Sequence, residues 1–104
     1  MRLLVIIVEK MLEDRYIKED FWLSGAAKYL ISLYRLGGES NARKLIDYMS
    51  EHYGTSHTSF YSLTPVLKEK GYIEVIEDGR KKIVKLTDKG KKIAEKLSQF
   101  ADEL

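Results

Sequence analysis

The chain of 104 residues contains no cysteine, which excludes disulfide stapling and thiolate metal sites and fits a reducing compartment. It holds one proline, Pro65, so there is no proline-rich linker. Only two histidines are present, His52 and His57, five positions apart and without a third ligand in reach of the pattern. Surface histidines are therefore preferred to a metal pair. No glycine-rich phosphate loop and no nucleophile-elbow spacing occurs. The expectation is a non-enzymatic chain with no cofactor and no metal. Long apolar runs are also missing. Leu3 to Val8 is interrupted at Glu9 after six residues. That is shorter than the about 7–15 of a signal core and far below the roughly 20 needed to cross a bilayer. A cytoplasmic protein with no membrane partner is expected. The abundance of Ile, Lys and Glu hints at a heat-loving source.

Charge of one sign is scarce overall, at a net +2, but it is unevenly placed. Residues 1–53 hold 8 basic and 8 acidic residues. Residues 79–96 hold eight basic residues (Arg80, Lys81, Lys82, Lys85, Lys89, Lys91, Lys92, Lys96) against Asp88 and Glu95, a local +6. Such a window suits an anionic partner; a solvated lysine-rich face is the bland alternative.

Apolar spacing divides the rest. Leu4, Ile7, Met11 and Leu12 mark a helix over 3–15. Phe21, Trp22, Gly25, Ala26, Tyr29, Leu30, Leu33 and Leu36 mark one over 20–36, apolar nearly all round and stopped by Gly37-Gly38. Ser40 is the expected N-cap of a helix over 41–52, with Gly54 in the turn that follows. A helix over 56–70 turns Phe60, Leu63 and Leu67 inward and Thr58, Tyr61, Ser62, Pro65 and Glu69 outward. Pro65 predicts a kink or a break near Thr64-Pro65. Residues 72–77 and 82–86 read as two strands joined by a tight turn at Asp78-Gly79. Thr87 opens a last helix, 88–104, striped by Ile93, Ala94, Leu97, Phe100, Ala101 and Leu104.

A polar-faced helix followed by a basic-tipped hairpin is the layout of a winged helix-turn-helix. The fold class expected is α+β, mostly α: a winged helix-turn-helix with a two-stranded β-hairpin wing and flanking N- and C-terminal helices. Residues 1–104 would form one domain, with its core at 20–87. In this layout Ser56, His57, Thr58, Ser59, Tyr61 and Ser62 crowd the helix end that approaches base edges, with Lys68 on its flank. Arg80, Lys81 and Lys82 stand at the wing tip, where arginine suits a narrow minor groove and lysine a phosphate. These ten residues are the candidate contacts to double-stranded DNA. A wing used for protein–protein contact in a transcription or chromatin complex is the alternative.

Two stretches resemble the PadR and MarR groups of winged-helix transcription regulators. One runs from Phe60-Tyr61-Ser62-Leu63 to Leu67-Lys68-Glu69-Lys70-Gly71-Tyr72-Ile73. The other is Gly79-Arg80-Lys81-Lys82 with Leu86-Thr87-Asp88-Lys89-Gly90. Thr64 and Pro65 depart from the pattern, since an apolar residue is usual at the first. The resemblance implies a sequence-specific DNA-binding regulator that acts as a homodimer. Its DNA contacts would be Thr58, Ser59, Tyr61, Ser62, Arg80 and Lys81. Both chain ends carry apolar stripes, so Leu4, Ile7, Met11, Ile93, Leu97, Phe100 and Leu104 are the candidate dimer contacts. Relatives often sense small aromatic effectors. Trp22, Tyr29, Tyr34, Tyr48 and Tyr53 could line such a pocket, although ordinary core residues are the favoured reading.

Overall fold

In the computed structural model residues 22–104 are described. The expected helix 3–15, with Leu4, Ile7 and Met11, lies outside them. Helix α1 spans Gly25–Arg35, starting later than the spacing suggests. The reason is local: Ser24 takes the N-cap, its Oγ accepting the Ala27 N–H at 3.1 Å. Every residue from Ala27 to Leu33 is buried, as an all-round apolar helix requires. This central helix packs against all three other described helices and against the sheet.

Helix α2 spans Ala42–Tyr53 and buries Leu45, Ile46, Met49 and Tyr53 at the expected spacing. Its cap is Asn41, whose Oδ1 accepts the Lys44 N–H at 2.7 Å; the expected cap, Ser40, does something else. Ser40 is buried in a short strand, β1 (Glu39–Asn41), and its Oγ donates to the Asn41 carbonyl. That strand pairs antiparallel with the second strand of the hairpin, Ser40 opposite Val84. The sheet is thus three-stranded, with Lys81–Leu86 between Glu39–Asn41 and Ile73–Asp78, one strand more than the hairpin expected. Glu-Ser-Asn has little β propensity, so pairing with a waiting edge creates the strand.

Helix α3 spans His57–Glu69 and buries Phe60, Thr64 and Leu67. It is one helix through Pro65, so the expected break into two pieces does not occur. Strands β2 (Ile73–Asp78) and β3 (Lys81–Leu86) pair from Ile73 opposite Leu86 to Asp78 opposite Lys81. The two-residue loop is therefore Gly79-Arg80, one residue later than the Asp78-Gly79 turn expected. Gly79 has φ +62° and, among the described residues, no non-glycine residue has positive φ, which matches a hairpin turn that needs glycine at its first position. Helix α4 spans Asp88–Glu103. Thr87 Oγ1 accepts the Gly90 N–H at 3.0 Å and donates to the Gly71 carbonyl at 2.6 Å. A Cβ at position 90 would overlap the Tyr72 carbonyl oxygen, so the Leu-Thr-x-x-Gly spacing has a packing cause.

The core draws Tyr29, Leu30 and Leu33 from α1, Leu45 and Met49 from α2, Phe60 and Leu67 from α3, and Ile73, Val84 and Leu86 from the sheet. Each such side chain, fully buried, contributes roughly 1.5–3 kcal/mol of transfer free energy. Leu23, Ala27, Ile31 and Ala101 form a second cluster between α1 and α4. Leu97 is half-buried and packs against both clusters. Ile93 and Phe100 stay exposed at 36% and 42%, and Leu104 is half-buried.

Candidate nucleic-acid interface

Phe60, Thr64, Leu67 and the half-buried Leu63 hold α3 to the body, which leaves its opposite side exposed. Thr58, Ser62, Pro65 and Glu69 are exposed along the side opposite Phe60, Thr64 and Leu67. Tyr61 is 59% exposed, its ring edge-on to Phe60 at 5.3 Å. Ser59 is half-buried. Ser56 is the N-cap of the helix: its Oγ accepts the Ser59 N–H at 3.3 Å while the residue stays exposed. The capping role accounts for Ser56 without any ligand.

His57 and Tyr61 share a groove of about 620 Å³ with Arg80, Lys81 and Lys82 of the wing. Helix and hairpin tip thus open onto one surface, as the sequence layout requires. Thr58, Ser59 and Ser62 line a second groove of about 540 Å³ on the other flank of α3, beside Thr55 and Lys28. Lys68 is exposed but lines neither groove.

The groove contains a cation that sequence reasoning missed. Arg43, in the first turn of α2, lines it opposite the wing tip, with Asp47 one turn further on. The available signal was position. The first turn of the first helix of a helix-turn-helix lies beside the nucleic-acid backbone in this architecture. Among the described residues, none of Arg43, Arg80, Lys81 and Lys82 engages in an ion pair; the pair formed is Arg35–Asp102 at 3.6 Å, elsewhere.

Strand register also changes the charge account. Asp78 stands opposite Lys81 and Glu77 opposite Lys82, while Lys85 lies between Glu39 and Glu74. The window over 79–96 left out these acids on the neighbouring strands, so the wing is much less positive than that window suggests. The lysines of α4 belong to another part of the molecule, because α4 packs chiefly on α1. Lys89 donates to the Lys70 carbonyl at 3.0 Å and sits 4.6 Å from the Tyr72 ring centre. The full +6 therefore does not act at the groove.

Behind α3, the Tyr29 hydroxyl lies 2.9 Å from Thr64 Oγ1. Burial pushes the Tyr29 phenol up to about 12. The aromatics proposed for an effector pocket are dispersed. Tyr29 and Tyr53 are core, Tyr53 accepting from Arg35 Nη1 at 3.0 Å. Tyr48 stacks on His52 at 3.8 Å, and Trp22 and Tyr34 are exposed at 60% and 37%. Among the described residues no group of three or more His, Cys, Asp or Glu could hold a metal ion. No described helix is long and apolar enough to cross a membrane.

Residues 61–98 match the DUF6293 C-terminal winged helix domain. The chain is 31% identical over 93 residues to an uncharacterized protein of Archaeoglobus fulgidus, covering 88% of this chain and 94% of that one. Its structure resembles that of SSV1 F-93, with a TM-score of 0.72 at 22% identity, covering 79% of this chain and 90% of the other. It also resembles a MarR variant from E. coli complexed with operator DNA, with a TM-score of 0.58 at 20% identity, covering 94% and 70%. At these identities the structural likeness establishes the winged-helix fold.

Proposed function

The chain belongs to the same family as the Archaeoglobus fulgidus protein and has the winged-helix fold, and from that premise we propose that it is a sequence-specific transcription regulator of double-stranded DNA. The observation that carries the reading is the groove where His57 and Tyr61 of α3 meet Arg80, Lys81 and Lys82 of the wing and Arg43 of α2. Among the described residues its cations form no ion pair. Helix α3 would enter the major groove, presenting Thr58, Tyr61 and Ser62 to base edges, with His57 and Ser59 on its flanks. The wing would follow the backbone or the adjacent minor groove, Arg80 foremost because it occupies the loop itself. Arg43 would hold a phosphate on the opposite side. The operator DNA bound by the MarR variant supports the same partner class for this chain.

The regulator would act as a homodimer. Ile93 and Phe100 leave an apolar strip on α4, and a two-fold pair would set two α3 helices about one DNA turn apart. Selection of duplexes from a random pool tests the whole reading. A two-fold symmetric preferred site is expected. Absence of duplex binding at low salt would instead favour the protein-contact alternative, for which the exposed Ile76 on β2 is the supporting observation.

A further inference from the structure

Tyr29 is the largest fully buried side chain of the core, and it grips α3 at two points one turn apart. Its ring stacks on Phe60 with centroids 5.5 Å apart and planes within 11°. Its hydroxyl meets Thr64 Oγ1 at 2.9 Å, and Thr64 Oγ1 reaches the Phe60 carbonyl at 2.7 Å. The proton assignment follows from valence. A threonine hydroxyl has one proton, and the Phe60 carbonyl can only accept it, so the Tyr29 O–H donates to Thr64.

Thr64 occupies a position where an apolar residue would fill the same space. Contacts of Phe60 and Leu67 with the body are non-directional and tolerate a small roll of the helix. A hydrogen bond weakens steeply off axis and does not tolerate it. The next residue raises the need for a restraint. Pro65 has no N–H, so the Tyr61 carbonyl loses the donor that the helix ladder would give it four residues on. The turn least secured by backbone bonds is therefore the one that carries Tyr61 and Ser62 outward. A roll of roughly 20° would move side-chain tips about 6 Å from the axis by about 2 Å. That is enough to lose a hydrogen bond to a base edge.

The geometry points to Tyr29 and Thr64 as a positioning pair that sets the rotation of α3 and, through it, the base preference of the protein. The first part stands on the buried contacts alone; the second rests on the DNA-binding reading. Both are tested with the full chain, comparing Tyr29→Phe, Thr64→Val, the double variant and Thr64→Ser. In the free protein, Tyr29→Phe should raise amide hydrogen exchange across Phe60–Leu67 at least tenfold more than in α2. A uniform increase over both helices would mean that the pair only adds stability and would overturn the positioning role. On DNA, the probes are the selected duplex and a scrambled duplex of equal length. Tyr29→Phe and Thr64→Val should each cut the affinity ratio between them about tenfold, with binding to the scrambled duplex unchanged. The double variant should be no worse than either single change, and Thr64→Ser should keep the wild-type ratio because it keeps the hydroxyl. An unchanged ratio in Tyr29→Phe would refute the link to base preference. Wild-type protein that binds neither duplex would refute the regulator reading itself, while hydrogen exchange would still decide the positioning role.

Discussion

The wing cations of the groove and the lysines of α4 are close in sequence and separate in space, so salt dependence can tell them apart. If Arg43, Arg80, Lys81 and Lys82 each neutralise one phosphate, the slope of log affinity against log salt should be about −3.6 per protomer. Between about 50 and 200 mM salt, a fourfold change, affinity should fall roughly 150-fold. Replacing Arg43 and Arg80 together by alanine removes two contacts and leaves a slope of about −1.8, so the same salt step should cost only about 12-fold. Replacing Lys92 and Lys96 of α4 should leave the slope at its wild-type value, although it removes the same formal charge. Fluorescence anisotropy with a labelled duplex at four salt concentrations measures all three proteins. Doubling the slopes for a dimer does not alter the comparison. An unchanged slope in the Arg43/Arg80 variant, or an equal reduction in the Lys92/Lys96 variant, would refute the placement of the interface.

Gly90→Ala should destabilise the fold by about 1–3 kcal/mol in urea titration, because its Cβ collides with the Tyr72 backbone and neither strand nor helix can easily shift. A loss below a few tenths would show that the Thr87–Gly90 corner is slack. The Tyr29 phenol titrates higher in the folded chain, at about 12, than the roughly 10 of an unfolded one, so the native state holds that proton more tightly. Its contribution should be intact below pH 10 and disappear as pH rises through 12, on the order of 2–3 kcal/mol. Denaturation curves of wild type and Tyr29→Phe should therefore converge over that interval, and parallel curves would contradict the burial argument. Ile93→Glu combined with Phe100→Glu should convert a dimer into a monomer in sedimentation velocity. A wild-type protein already monomeric at micromolar concentration would remove the dimer proposal.

Local chemistry made much of this architecture readable from residue order. Apolar spacing located the described helices, Thr87 its cap, and the Gly79 region a reversal, because each depends on neighbours within a few positions. The outward hydroxyls of α3 and the basic hairpin tip were legible for the same reason. Tertiary pairing decided the rest. Strand β1 exists because β3 offers an edge, which buries Ser40 and passes the cap to Asn41. Cross-strand register sets Glu77 and Asp78 against Lys82 and Lys81, so a charge sum along the chain overstates the wing. Arg43 joins the groove because α2 folds back beside the hairpin, a proximity between residues nearly forty positions apart that no local pattern records. Thr64, an anomaly in sequence, is accounted for by a tyrosine 35 residues away, since a buried hydroxyl needs a partner and only the folded chain supplies one.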